Sequence, residues 1–160
     1  MGSGWIAEHT ALHTQVVVKF IAAEFAKNEE ALDRFSREAA AASQVRSPHV
    51  VQTLDHGITP DGIPYIVMEY LEGHDLESHM ARGAMEQKEV LEIVAQLSRA
   101  LEKAHGVGIV HRDIKPSNIF LCDAGDGGLF VKLLDFGIAK GANMPKLDRD
   151  RKSTRLNSSH

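Results

Sequence analysis

The apolar positions of this chain fall into short β-branched runs and longer helical repeats, separated by turns containing Gly, Pro or Asp. The run Gln15-Val16-Val17-Val18-Lys19-Phe20-Ile21 is β-branched and predicts a strand with a lysine near its end. Taken alone, Lys19 would be an ordinary solvated strand lysine. Residues 29–44 are rich in Ala, Glu, Leu and Arg and contain neither Gly nor Pro, which predicts a helix that must stop before Pro48. Glu29 and Glu30 lie at its start, where the helix dipole alone favours carboxylates. Val51 to Ile58 and Ile63 to Tyr70 read as a pair of strands, with Thr59-Pro60-Asp61-Gly62 as the turn between them. From Gln87 to His105 the residues Val90, Val94, Leu97 and Leu101 recur at helical spacing, predicting an amphipathic helix with that face turned toward a core.

Composition narrows the class. With 160 residues, 43% of them hydrophobic and 25% charged, the chain has the make-up of a globular protein of about one domain. Its net charge of −4 argues against nucleic-acid binding. No uninterrupted apolar stretch approaches the roughly 20 residues of a membrane span, and no secretory signal is evident, so a cytoplasmic location is expected. The single Cys122 cannot form an internal disulfide and, in its apolar strand context, is expected to be a small buried residue. The nine histidines are scattered, and no His/Cys set has zinc spacing.

The candidate chemistry lies in two segments. His111-Arg112-Asp113-Ile114-Lys115-Pro116-Ser117-Asn118 is followed after a short gap by Asp135-Phe136-Gly137. Moving the terminal phosphoryl group of ATP asks for a carboxylate facing the acceptor hydroxyl, oxygens to hold metal and a cation facing phosphate. Asp113, Asn118, Asp135 and Lys115 are of those types. In their order and separation, the two segments resemble the catalytic loop and metal-binding loop of eukaryotic-type protein kinases, here in a form similar to the compact bacterial serine/threonine enzymes. The resemblance implies an α+β, protein-kinase-like two-lobe fold.

Other landmarks of that family follow in order. The strand ending at Lys19 resembles the one whose Val-Ala-Ile-Lys motif points a lysine at the α- and β-phosphates. Arg34-Phe35-Ser36-Arg37-Glu38 resembles the helical segment carrying the glutamate that pairs with that lysine, which implies Glu38. Ser47-Pro48-His49-Val50-Val51 resembles the turn into the next strand. Met68-Glu69-Tyr70-Leu71-Glu72-Gly73 resembles the hinge between lobes, which implies the Glu69 carbonyl and Leu71 amide as partners of adenine and Met68 as the bulky residue at the back of its pocket. The helix from Gln87 to His105 looks like the one leading into the catalytic loop. Ile119 to Cys122 and Leu129 to Leu134 would be the two short strands that hold the catalytic and metal-binding loops together, with Ala124-Gly125-Asp126-Gly127-Gly128 as their hairpin connection. That Gly-rich stretch lacks the strand-to-helix setting of a phosphate-binding loop.

Both ends depart from the family pattern. Met1 to His9 aligns with the second half of the Gly-x-Gly-x-x-Gly-x-Val loop, with Gly2 in place of the third glycine and Gly4 in place of the valine that covers adenine. The first strand and two glycines are expected to lie upstream, leaving the small lobe incomplete. At the other end Asp150-Arg151-Lys152-Ser153-Thr154-Arg155-Leu156-Asn157-Ser158-Ser159-His160 is similar, codon for codon, to the translation of a short-read sequencing adapter. Residues 150–160 are therefore expected to be a non-native tail, after a partial kinase domain over 1–149: small lobe 1–68, hinge 69–72, partial large lobe 73–149. Apolar surface left uncovered on the large-lobe helix is expected to favour aggregation.

The activity implied is ATP-dependent transfer of the γ-phosphoryl group to a Ser or Thr hydroxyl of a protein. Asp113 would orient the hydroxyl or accept its proton, Lys115 would neutralise the moving phosphoryl, and Asn118 and Asp135 would hold Mg2+. Lys115 within Asp-Ile-Lys-Pro-Ser-Asn matches the serine/threonine-specific pattern. His111 would brace the loop, and Arg112 resembles the arginine of kinases whose activation loop is ordered by phosphorylation. Negligible peptide phosphorylation is expected from the 160 residues by themselves. The alternative reading is a pseudokinase-like module that binds nucleotide or a partner without transfer. Family members are often membrane-tethered beyond this domain, which this chain would not include.

Overall fold

A computed structural model describes residues 4–21, 28–123, 125 and 128–136, and the backbone of 154–156. It divides into two compact units: residues 1–43, 52–70 and 138–160 form one, and 44–51 with 71–137 form the other.

The first unit is built on an antiparallel sheet. β1 (Gly4–His9) pairs with β2 (Thr14–Phe20), β2 with β4 (Pro64–Glu69), and β4 with β3 (Thr53–Ile58). A three-residue strand, β8 (Thr154–Leu156), lies parallel to β1 at Ala7–His9. β2 is buried from Val16 to Lys19, as its unbroken apolar run requires. Directly opposed residues share a face. One face therefore carries Gly4, Ile6, Val17, Lys19, Ile66 and Met68, and the other carries Ala7, Val16 and Val18 with Phe20, Tyr65 and Val67 packed on them. The predicted β3–β4 turn is present, with Gly62 at φ 81° as its left-handed residue and Gly62 N–H donating to Thr59 O at 2.8 Å.

α1 (Glu29–Ala42) starts at Asn28, whose Oδ1 accepts from Ala31 N–H, with Glu29 and Glu30 in the first turn. Its buried stripe is Ala31, Phe35, Ala39 and Ala42, and Phe35 meets His56 of β3 edge-on, the ring centroids 6.5 Å apart. The helix ends two residues before the predicted Gln44 because Ser43 turns back, its hydroxyl donating to Ala40 O at 2.7 Å.

The second unit joins a three-stranded sheet to helices. β5 (Gly73–Asp75), β6 (Ile119–Asp123) and β7 (Leu129–Leu133) are antiparallel in that order. β6 and β7 pair as the two strands of the predicted hairpin, of whose connection residues 124, 126 and 127 lie outside the described residues, and Cys122 on β6 is half-buried rather than fully enclosed. α2 (Leu76–Met80) begins at Asp75, whose carboxylate accepts from Ser78 N–H, and α3 (Gln87–Gly106) follows. A chain of side chains links the three: His74 Nε2 lies 2.9 Å from His79 Nδ1, and His79 Nε2 lies 2.7 Å from Glu89 Oε1. The imidazole centroids are 5.2 Å apart and nearly coplanar, a separation made up of the nitrogen–nitrogen distance plus one radius of each ring. The rings thus meet end to end, sharing a proton, and are not stacked face to face.

The face of α3 differs from the expected one. Ile93, Ala100 and Ala104 are buried; of the predicted stripe Leu97 and Leu101 are half-buried, whereas Val90 and Val94 are exposed together with Leu91. The side of the helix that it buries is the one carrying Gln96, whose amide bonds β7. Residues 44–51 count with this second unit because Val51 N–H donates to Leu133 O and Leu133 N–H to His49 O.

Candidate active site

The candidate polar groups of the second unit lie on the 111–118 loop after α3 and just beyond the end of β7. His111 is 1% exposed, and its two ring nitrogens have distinct jobs: Nδ1 accepts from Asp113 N–H at 3.2 Å, so Nε2 carries the hydrogen donated to Leu134 O at 2.7 Å. Burial pushes its pKa below the ordinary 6.5; the bond to Leu134 and the charges of Asp135 and Asp113 pull the other way without prevailing. The ring also packs against buried Phe136, centroids 4.9 Å apart at 52°. One histidine thereby ties the 111–118 loop to the segment that carries Asp135.

Asn118 closes the same loop. It ends a single 3₁₀ turn (Pro116–Asn118), is 7% exposed, and its Nδ2 donates both to Asp113 O at 2.9 Å and to Asp113 Oδ2 at 3.0 Å. Its backbone carbonyl accepts from Leu134 N–H at 2.8 Å. Lys115 Nζ lies 3.3 Å from the same Oδ2; with side chains 51% and 39% exposed, this pair orients the carboxylate more than it stabilises the fold. Asp113 therefore meets two donors through one oxygen, and Oδ1 takes no part in either contact.

Two residues beside these groups have left-handed backbones: Arg112 at φ 63° and Asp135 at φ 47°. For non-glycine residues this costs on the order of 1 kcal/mol each. Arg112 divides buried His111 from half-buried Asp113, and Asp135 follows buried Leu134 and precedes buried Phe136. In both cases the reversal lets a polar side chain leave a run whose neighbours face the core.

The first unit holds most of the other candidates. Lys19 is 8% exposed on β2, on the same sheet face as Met68, with Gly4 directly across on β1. Glu69 ends β4, where its Oε1 accepts from Gln52 N–H at 2.8 Å and its own N–H donates to Gln52 O at 3.0 Å. Glu38 is half-buried on α1. Leu71 is half-buried at the start of the second unit, and Gly2 and Gly137 lie outside the described residues. The structure thus brings Asp113, Lys115 and Asn118 into direct contact, joins them to Asp135 through backbone bonds, and puts Lys19, Met68 and Gly4 on one face of a separate unit.

Two further polar residues, not singled out from the sequence, serve this region. His49 Nδ1 donates to Val131 O at 3.0 Å, and the Gln96 side chain bonds both Leu129 O and Val131 N–H. The available signal was Gln96 itself, a polar residue in line with Ile93, Ala100 and Ala104 on the buried face of α3.

A family model described as protein kinase domain matches residues 1–156. Serine/threonine-protein kinase pkn3 of Myxococcus xanthus is 40% identical over 141 residues, 88% of this chain and 26% of that protein. Serine/threonine-protein kinase PrkC of Bacillus subtilis is 41% identical over 140 residues, 87% of this chain and 21% of the relative. The chain thus spans about a quarter of the length of the relatives it matches. Among solved structures, the kinase domain of Mycobacterium tuberculosis PknI superposes with a TM-score of 0.76 at 34% identity, over 87% of this chain and 56% of that one. Rad53 residues 1–466 in complex with AMP-PNP gives 0.67 at 29% identity, over 80% and 32%.

Proposed function

The chain belongs to the protein kinase family, and on that premise we propose that it carries the phosphotransfer site of a bacterial eukaryotic-type serine/threonine kinase using ATP and Mg2+. The observation that carries this reading is the arrangement around Asp113: one carboxylate oxygen tied to Asn118 and Lys115, the other taking no part in those contacts. In the reaction, Oδ1 of Asp113 orients a Ser or Thr hydroxyl and receives its proton as the oxygen attacks the γ-phosphorus and the bond to the ADP oxygen breaks. Lys115 stands where its ammonium offsets charge on the transferred group. The donor set suits a hard cation: because Asn118 Nδ2 is turned to Asp113, its other amide atom is a carbonyl oxygen, and Asp135 adds a carboxylate. Mg2+ bound there would neutralise charge on the phosphates.

Lys19 supports the same reading as the α/β-phosphate ligand, with Glu38 as its pairing carboxylate, Met68 at the back of the adenine pocket, and the Glu69 carbonyl and Leu71 amide as adenine's partners. Gly2 would belong to the phosphate-covering loop. Substrates would be cytoplasmic proteins presenting Ser or Thr. One observation favours a second reading, nucleotide binding without transfer: Gly4, opposite Lys19, offers no side chain to cover adenine.

Magnesium-dependent binding of a fluorescent ATP analogue tests the assignment. We expect affinity to fall tenfold or more in Lys19→Met and in Asp135→Asn, and to stay within twofold in Asp113→Asn, which instead loses any transfer of label from radioactive ATP to a basic protein. Binding indifferent to magnesium and to Asp135 would overturn the proposal; any transfer of label that Asp113→Asn abolishes would exclude the second reading.

A further inference from the structure

β7 is the edge strand of its sheet: β6 covers one side, and the outward N–H and C=O groups of residues 129, 131 and 133 face away from it. A buried edge of this kind needs partners, and Val131 and Leu133 are both fully buried. The partners come from three places. The Gln96 amide donates through Nε2 to Leu129 O at 2.7 Å and accepts from Val131 N–H through Oε1 at 2.8 Å. His49 donates through Nδ1 to Val131 O at 3.0 Å, the carbonyl being able only to accept. The backbone of 49–51 completes the row, with Leu133 N–H donating to His49 O at 2.9 Å and Val51 N–H to Leu133 O at 3.0 Å. Every outward group from Leu129 O to Leu133 O is thus bonded.

A primary amide presents the same donor and acceptor pair as a peptide group, so Gln96 acts as one residue of a missing neighbouring strand. His49 supplies the next donor from its side chain and rests its ring on Phe130, centroids 4.9 Å apart. The strand they hold runs directly into Leu134, bonded to Asn118 and His111, and then into Asp135. Side chains alternate along a strand, so a slip of one residue would move Asp135 by about 3.3 Å and turn it to the opposite face.

We infer that Gln96 and His49 are positioning residues for Asp135, setting the register of β7 so that the metal-holding carboxylate meets the 111–118 loop. This rests on the role given to Asp135 above. Gln96 also ties that register to α3, the helix whose C-terminal end feeds the loop through Val107–Val110.

Native-state amide hydrogen exchange and Mn2+-dependent binding of the fluorescent ATP analogue, both on the full chain, test the inference. In Gln96→Leu, exchange at Val131 and over residues 134–136 should quicken about tenfold or more while the β3–β4 amides stay within about twofold. The Mn2+ concentration for half-maximal nucleotide binding should rise at least fivefold, with metal-free nucleotide affinity unchanged. His49→Phe, which keeps the ring but not the donor, should move both readings the same way, and His49→Asn, which restores a donor near Nδ1, should bring them back. Should Gln96→Leu fail to fold, Gln96→Glu keeps the acceptor for Val131 and loses only the donor to Leu129. Exchange that rises evenly through the chain, or does not change at 134–136, would overturn the inference. An unaltered chain without metal-dependent binding would refute the role of Asp135 in metal binding, while the exchange pattern would still decide whether Gln96 and His49 hold its segment in register.

Discussion

His111 shows how one buried side chain can couple two loops and make the coupling depend on pH. The folded protein keeps it neutral because burial outweighs the neighbouring carboxylates, whereas in the unfolded chain it takes up a proton near 6.5. Its folded pKa being the lower, the unfolded state binds more protons as pH falls. Its contribution is therefore intact above about pH 6.5 and is lost progressively below that value, until the folded form titrates as well. Urea unfolding between about pH 7 and pH 5 should show a decline in stability that is shallower in His111→Gln, where the amide nitrogen still reaches Leu134 but cannot titrate. Equal slopes for the two proteins would show that the coupling is not proton-linked.

Among the secondary-structure elements, β5 is tightly constrained at its first residue. Gly73 has φ 140°, outside the range of residues with side chains, and a Cβ there would run into the carbonyl oxygen of Leu121 on β6. Gly73→Ala should cost about 3 kcal/mol or more in thermal unfolding, combining backbone strain with a contact that only main-chain movement relieves. An alanine variant as stable as the parent would mean that β5 and β6 are not paired as described.

The elements also show what could and could not be read from the chain. β2, β4 and the β6–β7 hairpin were legible because β-branched runs between turn residues have few alternatives, and the paired loops because their residue types match a known chemistry. The orientation of α3 was not legible. Periodicity reports that a helix has an apolar stripe, but Val90 and Val94 compete with the stripe of Ile93, Ala100 and Ala104, and only packing against β7 chooses between them. Gln96 and His49 escaped notice for a related reason: their partners are main-chain groups 33 and 82 residues away, which leave no mark in local pattern. The left-handed backbones at Arg112 and Asp135 were equally hidden, since arginine has no such preference and the raised tendency of aspartate toward positive φ marks no particular one of the chain's aspartates.

On the scale of the whole molecule, the stripe that α3 does not bury matters most for behaviour in solution. Val90, Leu91 and Val94 are 42%, 61% and 54% exposed on consecutive turns. Contiguous apolar surface of this kind favours self-association. Sedimentation over a range of concentrations should show the chain associating and Leu91→Lys with Val94→Lys suppressing it, with little change in unfolding midpoint because neither side chain is buried. Association undiminished by both lysines would locate the sticky surface elsewhere.

Trp5, Tyr65 and Tyr70 are the chain's entire complement of tryptophan and tyrosine, and all three belong to the first unit. Intrinsic fluorescence therefore watches the sheet around Lys19 and is blind to the part bearing Asp113 and Asp135. A melting curve recorded by that light alone would describe half of the protein, and a tryptophan introduced at Phe130 would give the silent half a signal of its own.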